Sequence, residues 1–518
     1  MSDPTEELKC DYLVIGAGTA SLSFVDTLIT CSHNATVIIV DRNANPGGHW
    51  VHAYPFVRLH QQGCSYGVNS RTLGKLHGKK KIEEFDMNDR ATGKEVCEYY
   101  DQVVKSFIAT KRVKVFFNSE YRSCGEEGSH THTIASNDGQ VFTVACGKLV
   151  NCLTKVEVPS MRKAPFPVHE CVCMKPINDL PKAVKSGTFD KYVVIGAGKT
   201  GSDAIMHLLE NNVSPEFITW IVSRDVWYLL RDGWMPKSRP KGEFWKITLN
   251  TIFGPIIAAS SVKESFLNLE KAGSVGRLDP NGPFPKVFKG PTITKGDLDM
   301  LRTVKNVIKL GRVTSITLDE IVLESGRTII SHKDTFVVDC MAENIYGYLD
   351  FEPDFQTFKP NLIELGPPAF LLNPSLTSTL IGYLEATFHD DSVKNSFIYH
   401  LPKQKHECLL TAFIIGVYTH LKTHEQVAKY KPLEKFIIES RTNPDGFGRH
   451  GGVFPLLWAA FGPLQLSTKI EALAKKFTNK GFSDVEDPFP GRKGVDPSTL
   501  KSALRIDGRV KKGCCSSN

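Results

Sequence analysis

Two glycine-rich turns constrain this chain more than any other feature: Gly16-Ala-Gly18-Thr-Ala-Ser21 and, further along, Gly196-Ala-Gly198-Lys-Thr-Gly201. Each comes after a short apolar run, Tyr12-Leu-Val-Ile15 and Tyr192-Val-Val-Ile195, and each leads into a stretch with helical spacing. A strand, a tight turn and a helix start aim backbone N–H groups and the positive end of a helix dipole at a pyrophosphate. One match of this kind is weak. Two in the same context predict two dinucleotide sites on one α/β chain.

The second strand of each unit sets the two sites apart. Beyond the first turn, the strand Thr36-Val-Ile-Ile-Val40 ends on Asp41, with Arg42 next. A carboxylate there suits ribose hydroxyls and repels a 2′-phosphate, so the site favours FAD or NAD over NADP. Ser21 is small enough to stand in for the third glycine of the pattern. The loop Asn45-Pro-Gly47-Gly48-His49-Trp50 adds two glycines that allow positive φ and close approach of backbone to a ligand. The candidate FAD contacts are therefore Gly16, Gly18, Ser21, Asp41, Arg42, Gly47, Gly48, His49 and Trp50.

Beyond the second turn, the strand around Phe217–Val222 runs into Ser223-Arg224, with no acid. A hydroxyl and a guanidinium welcome a 2′-phosphate through charge-assisted hydrogen bonds, which points to NADPH. Its candidate contacts are Gly196, Gly198, Lys199, Thr200, Gly201, Ser223 and Arg224. The plainer reading of Arg224 is a solvated surface arginine paired with Asp225.

Composition removes other classes. A chain of 518 residues with 23% charged and 41% hydrophobic residues is globular and long enough for two or three cores. Its net charge of +7 forms no long basic stripe, and Gly78-Lys-Lys-Lys81 reads as a solvated loop, so no nucleic-acid partner is expected. Thirteen cysteines include no Cys-x-x-Cys pair, which argues against a dithiol relay beside a flavin; no metal site is expected either. Cysteine usage of this kind fits a reducing, cytoplasmic compartment. The polar start Met1–Glu7 lacks a signal-peptide core, and the apolar runs Ile252–Ala259 and Leu409–Val417 fall short of the ~20 residues a membrane span needs. Near the end, Cys514 and Cys515 come directly after basic residues and a glycine. They offer a palmitoylation site and weak membrane association; a plain flexible tail is the simpler reading. No pattern in the chain encodes its oligomeric state.

The expected fold is α/β, with two doubly wound Rossmann-like dinucleotide-binding units in tandem and a mainly helical C-terminal part. Residues 1–155 form the first part of the FAD unit, and 156–345 the NADPH unit. The latter is interrupted at 226–292 by an excursion carrying Trp227, Trp234 and Trp245. This excursion is a candidate substrate cap or, equally, a structural lid or partner surface. Residues 346–490 return to the FAD unit and a helical region, and 491–518 form a flexible tail. Within this frame, helical spacing covers Gly93–Ile108 and Lys295–Arg302, and hairpins turn at Asn137-Asp-Gly139 and Ser325-Gly326. Asn373-Pro374 reads as an N-cap with proline at N1, opening a helix whose N-terminus faces either the flavin or the ordinary core.

Asp41, Pro46-Gly-Gly48-His-Trp50 and Gly196-x-Gly198-x-Thr200-Gly201-x-Asp203 together resemble a divergent branch of the flavin-containing monooxygenases, over about the first 350 residues. The resemblance implies FAD in the first unit and NADPH in the inserted second one. It also implies hydride transfer to the flavin, then oxygenation of a small organic substrate through a C4a-hydroperoxyflavin. The family's Phe-x-Gly-x-x-x-His stretch is only shadowed by Phe166-Pro-Val-His169, and Leu59-His-Gln-Gln62 stands near the place of its Asn-x-Pro. His60, Gln61 and Gln62, just past the tryptophan loop, are the candidate catalytic residues. Two other readings remain: an NADPH-dependent reductase or dehydrogenase with a non-oxygen acceptor, and a low-turnover FAD-bound sensor or scaffold.

Overall fold

The first strand, β1 (Glu6–Ile15), alternates little and is almost wholly apolar toward its end: Leu13 and Val14 are fully buried, as a strand covered on both faces requires. It pairs in parallel with β2 (Val37–Val40) on one side and β6 (Val141–Asn151) on the other. Beyond β2 lies β3 (Val113–Phe116), also parallel. The antiparallel pair β4 (Ser119–Arg122) and β5 (Thr131–Ser136) leans on β6 through the turn at Asn137–Gly139. Late in the chain, Leu362–Glu364 joins β6 in parallel and Phe358–Lys359 closes that edge, completing an eight-stranded sheet. A computed structural model defines this architecture; it describes residues 6–73, 89–123, 130–152, 158–234, 249–330, 333–342, 355–366, 370, 373–400, 409–443 and 492–505. Lys79–Lys81, Trp245, Cys514 and Cys515 lie outside the described residues.

Two helices cover this sheet near its glycine turn. Helix α1 (Thr19–Cys31) leaves the turn directly. Helix α2 (Gly93–Ala109) starts on a capping box, with the Glu95 amide donating to Thr92 Oγ1 at 3.2 Å and the Thr92 amide to Glu95 Oε2 at 2.8 Å. The helix Pro374–Thr387 lies along α1, so close that a Cβ on Gly382 would stand 2.8 Å from the Phe24 carbonyl.

A second sheet repeats the plan: Val307–Ile308, β9 (Ile218–Ile221), β8 (Lys191–Ile195), Thr335–Asp339 and β7 (Met174–Pro176) lie in that order, every pair parallel. The helix Lys199–Glu210 leaves β8 through the second glycine turn. The three-stranded antiparallel sheet Val313–Ile316, Glu320–Leu323 and Gly326–Ile329 carries the turn at Ser325–Gly326. Two doubly wound α/β units are therefore present, each with a glycine turn at the carboxyl end of its first strand.

The 226–292 excursion is more built than a lid. Val226–Leu230, Val275–Arg277 and Val287–Ile293 form a sheet of their own. Trp227 is fully buried and donates to the Pro285 carbonyl at 2.9 Å. Its core merges with Phe413, Ile414, Val417 and Leu421 of the helix Leu409–Ala428. That helix carries the Leu409–Val417 run onward to 20 residues, yet no helix among the described residues is long and apolar enough to cross a membrane.

Candidate functional site between two glycine turns

At the first turn Gly16 has φ +93° and Gly18 is the N-cap of α1, with no side chain capping the helix. Asp41, 6% exposed, accepts from the Ala17 amide at 2.6 Å and the Asn43 amide at 2.7 Å. The acid thus braces the turn from the end of β2, while each oxygen keeps lone-pair capacity for a ligand. Gly47 (φ +137°) donates its amide to the Ala17 carbonyl at 2.9 Å, and a Cβ on Gly48 (φ +59°) would meet Gly18 Cα at 3.0 Å. The Gly47–Gly48 loop is laid on the glycine turn with backbone against backbone. Ser21 is buried, whereas Arg42 is exposed beside the turn.

Around the start of α1 runs a chain of hydroxyls absent from the sequence reading. Trp50 Nε1 donates to Tyr66 Oη at 2.7 Å, Tyr66 Oη meets Thr19 Oγ1 at 2.5 Å, and Tyr100 donates to Thr19 Oγ1 at 2.9 Å. Burial pushes the Tyr66 and Tyr100 phenols up. The loop bearing Tyr66 is held from behind by Arg441, 8% exposed, whose guanidinium donates to the carbonyls of Cys64, Tyr66 and Val68.

The second turn is tighter. Gly196 has φ +132°, and a Cβ on Gly201 would overlap the Gly196 carbonyl oxygen, so only glycine lets this helix start so near the strand end. Gly198 caps the helix, again without a side-chain cap, and Thr200 is half-buried in its first turn. Lys199 pairs with Asp203 one turn on. At the end of β9, Ser223 is half-buried and Arg224 exposed. Asp225 pairs with Lys309 at 2.8 Å rather than with Arg224, which has no side-chain partner among the described residues. Phe166–His169 belongs elsewhere: His169 is exposed, its amide bound to the Ile316 carbonyl at 2.9 Å.

The two turns are physically joined. Tyr54, on the segment leaving the tryptophan loop, donates to Asp203 Oδ2 at 2.5 Å, and Phe56 stacks on His207 with ring centroids 4.1 Å apart. Asp203 therefore holds Lys199 with one oxygen and Tyr54 with the other. Arg231, immediately after the strand Val226–Leu230, donates Nε to the His60 carbonyl at 3.1 Å and Nη2 to the Thr292 carbonyl at 3.2 Å.

His49 and His60 keep exposed surface, yet the protein packed around them desolvates their imidazoles and lowers them to about 4 and about 3, His60 being lowered further by Lys199, Arg231 and Arg90. Both imidazoles are therefore neutral at physiological pH. Of the three candidate catalytic residues, His60 is exposed and Gln61 half-buried. Gln62 is 1% exposed, so its side chain is enclosed by the protein. Arg231, Tyr54 and Tyr66 escaped the sequence reading because their partners lie far away in the chain. Of their partners, Asp203, Trp50 and His60 were singled out in the sequence, but not the contacts that join them to these three residues.

The donors present suit two dinucleotides: two uncapped helix starts on glycine, an acid at one strand end and a hydroxyl–guanidinium pair at the other. Among the described residues no group of three or more His, Cys, Asp or Glu could hold a metal ion.

No protein-family model matches the chain. Among solved structures, it is similar to cyclohexanone monooxygenase in an open form, at 16% identity over 73% of this chain and 88% of that one, with a TM-score of 0.46. It is also similar to a bacillithiol disulfide reductase from Bacillus cereus, at 13% identity over 72% of this chain and 97% of that one, with a TM-score of 0.43. In sequence it is 36% identical over 404 residues to an uncharacterized protein of Mycobacterium tuberculosis, covering 77% of this chain and 71% of that protein. With identity at that level across most of both chains, this protein belongs to the same family as the uncharacterized mycobacterial protein.

Proposed function

We propose that this chain is an FAD-dependent, NADPH-using oxidoreductase, and within that class a monooxygenase of a small organic substrate. The observation that carries the reading is the pair of uncapped glycine turns, one ending its second strand on Asp41 and the other on Ser223-Arg224, joined through Tyr54, Asp203 and Lys199. Asp41 and the Gly16–Ser21 turn, with Gly47–Trp50 beside them, hold the FAD ribose and pyrophosphate. Gly196–Gly201 and Lys199 hold the pyrophosphate of NADPH, and Ser223 and Arg224 its 2′-phosphate. Bound flavin supplies hydride acceptance and reactivity toward oxygen. The chain contributes orientation and water exclusion, with neutral His60 offering one ring nitrogen as donor and the other as acceptor.

Oxygen uptake and NADPH consumption, measured with and without candidate amines, sulfides and ketones, test the finer part. A substrate that couples both to one oxygenated product supports oxygenation. Rapid anaerobic reduction of a quinone or dye, with no coupled oxygen uptake for any candidate, moves the activity to reductase.

A further inference from the structure

Arg231 is 5% exposed, and its hydrogen bonds go to two backbone carbonyls, of His60 and Thr292, through Nε and Nη2. Among the described residues Nη1 has no partner, and no carboxylate lies within ion-pairing distance of the guanidinium. The nearest acids are committed elsewhere: Asp203 to Lys199 and Tyr54, Asp232 to the Lys295 amide, and Asp297 to the Thr294 cap. Arg441 shows the contrast. It is similarly buried, but Nε, Nη1 and Nη2 all donate to carbonyls. Beside Arg231 stands Arg90, half-buried and likewise without a side-chain partner among the described residues; burial first, and then the Arg90 charge, lower Arg231 to about 10. Two neighbouring guanidiniums repel each other, and a buried charge without a paired counter-ion is rare. Among the described residues no acid pairs with Arg231.

We propose that Arg231, supported by Arg90, is the docking point for the carboxylate of an organic-acid substrate, beside the His60 and Thr292 carbonyls that hold its guanidinium. A phosphate of a bound dinucleotide shares that chemistry. The carboxylate is favoured because each pyrophosphate already has its own uncapped helix start, and the 2′-phosphate has Arg224. The proposal rests on the oxidoreductase reading only in naming the anion a substrate; anion binding itself does not need it.

Calorimetric titration of the purified protein with benzoate and phenylacetate, each beside its methyl ester, reads binding whether or not flavin is present. At least one acid should bind saturably and about tenfold or more tightly than its ester. Arg231→Gln should weaken that acid by about ten- to a hundredfold, the usual worth of a charged hydrogen bond, while NADP⁺ affinity stays within about threefold. Equal binding of acid and ester, or unchanged acid affinity in Arg231→Gln, overturns the proposal. An equal loss of NADP⁺ affinity overturns it too, by giving the anion to the cofactor. Should Arg231→Gln not fold, Arg90→Gln and the acid–ester comparison on the unmodified chain still decide. If carboxylates bind as expected but no FAD is found, the oxidoreductase reading fails and the anion site stands.

Discussion

In the proposed function, Arg224 is the side chain that separates the two cofactor chemistries. It is exposed at the end of β9, and Asp225, which would otherwise neutralise it, is taken by Lys309. A charge-assisted contact to the 2′-phosphate is worth roughly 1.5–3 kcal/mol. Arg224→Ala should therefore lower kcat/KM for NADPH by about ten- to a hundredfold and leave NADH use unchanged. Equal losses with both coenzymes would make Arg224 structural. The sequence can propose residues of this kind because their signal is local: Asp41, Ser223 and Arg224 each sit at a fixed offset from a glycine turn. Arg231 carried no such mark. Its meaning comes from carbonyls at residues 60 and 292, which only the fold brings together.

Elements repeat the lesson. The Asn373-Pro374 cap was readable, and the Asn373 side chain does accept from the Leu376 amide at 2.9 Å. The helix it opens is buried along its length against α1, and Asn373 also donates to the Thr442 carbonyl at 2.8 Å, tying the helix start to the segment that carries Arg441. Asn373→Ala should cost about 1–2 kcal/mol and lower Tm by a few degrees, read by a thermal melt. A Tm unchanged within error would mean that burial alone sets this helix. The excursion at 226–292 was harder to read. Its tryptophans fit a substrate cap, a structural lid or a partner surface equally, and the burial of Trp227 comes from the helix Leu409–Ala428, far along the chain. Helix and strand existence came from periodicity and turn residues; which element would cover which did not.

For the whole molecule, the join between the two units has a pH signature. His49 and His60 have folded-state values of about 4 and about 3, below the ordinary 6.5 of the unfolded chain. Above pH 6.5 both states hold neutral imidazoles and no stability depends on them. As pH falls below 6.5 the unfolded chain takes up protons that the folded chain refuses, so stability declines until the folded values are reached. The apoprotein's Tm should fall between about pH 6.5 and 4.5, and the decline should be shallower in a His49→Gln/His60→Gln double variant. Parallel curves for the two proteins would show that carboxylates alone set the acid limb.

The central claim is that one chain holds two dinucleotides and passes a hydride between them. Its most direct test is anaerobic mixing of the FAD-loaded protein with NADPH, tracking the visible absorbance of the flavin by stopped flow. The account predicts one non-covalent FAD per chain, bleached in a saturable phase by NADPH and about tenfold or more slowly by NADH at equal subsaturating concentrations. A protein that cannot be loaded with FAD, or whose bound flavin keeps its colour under NADPH, would contradict it.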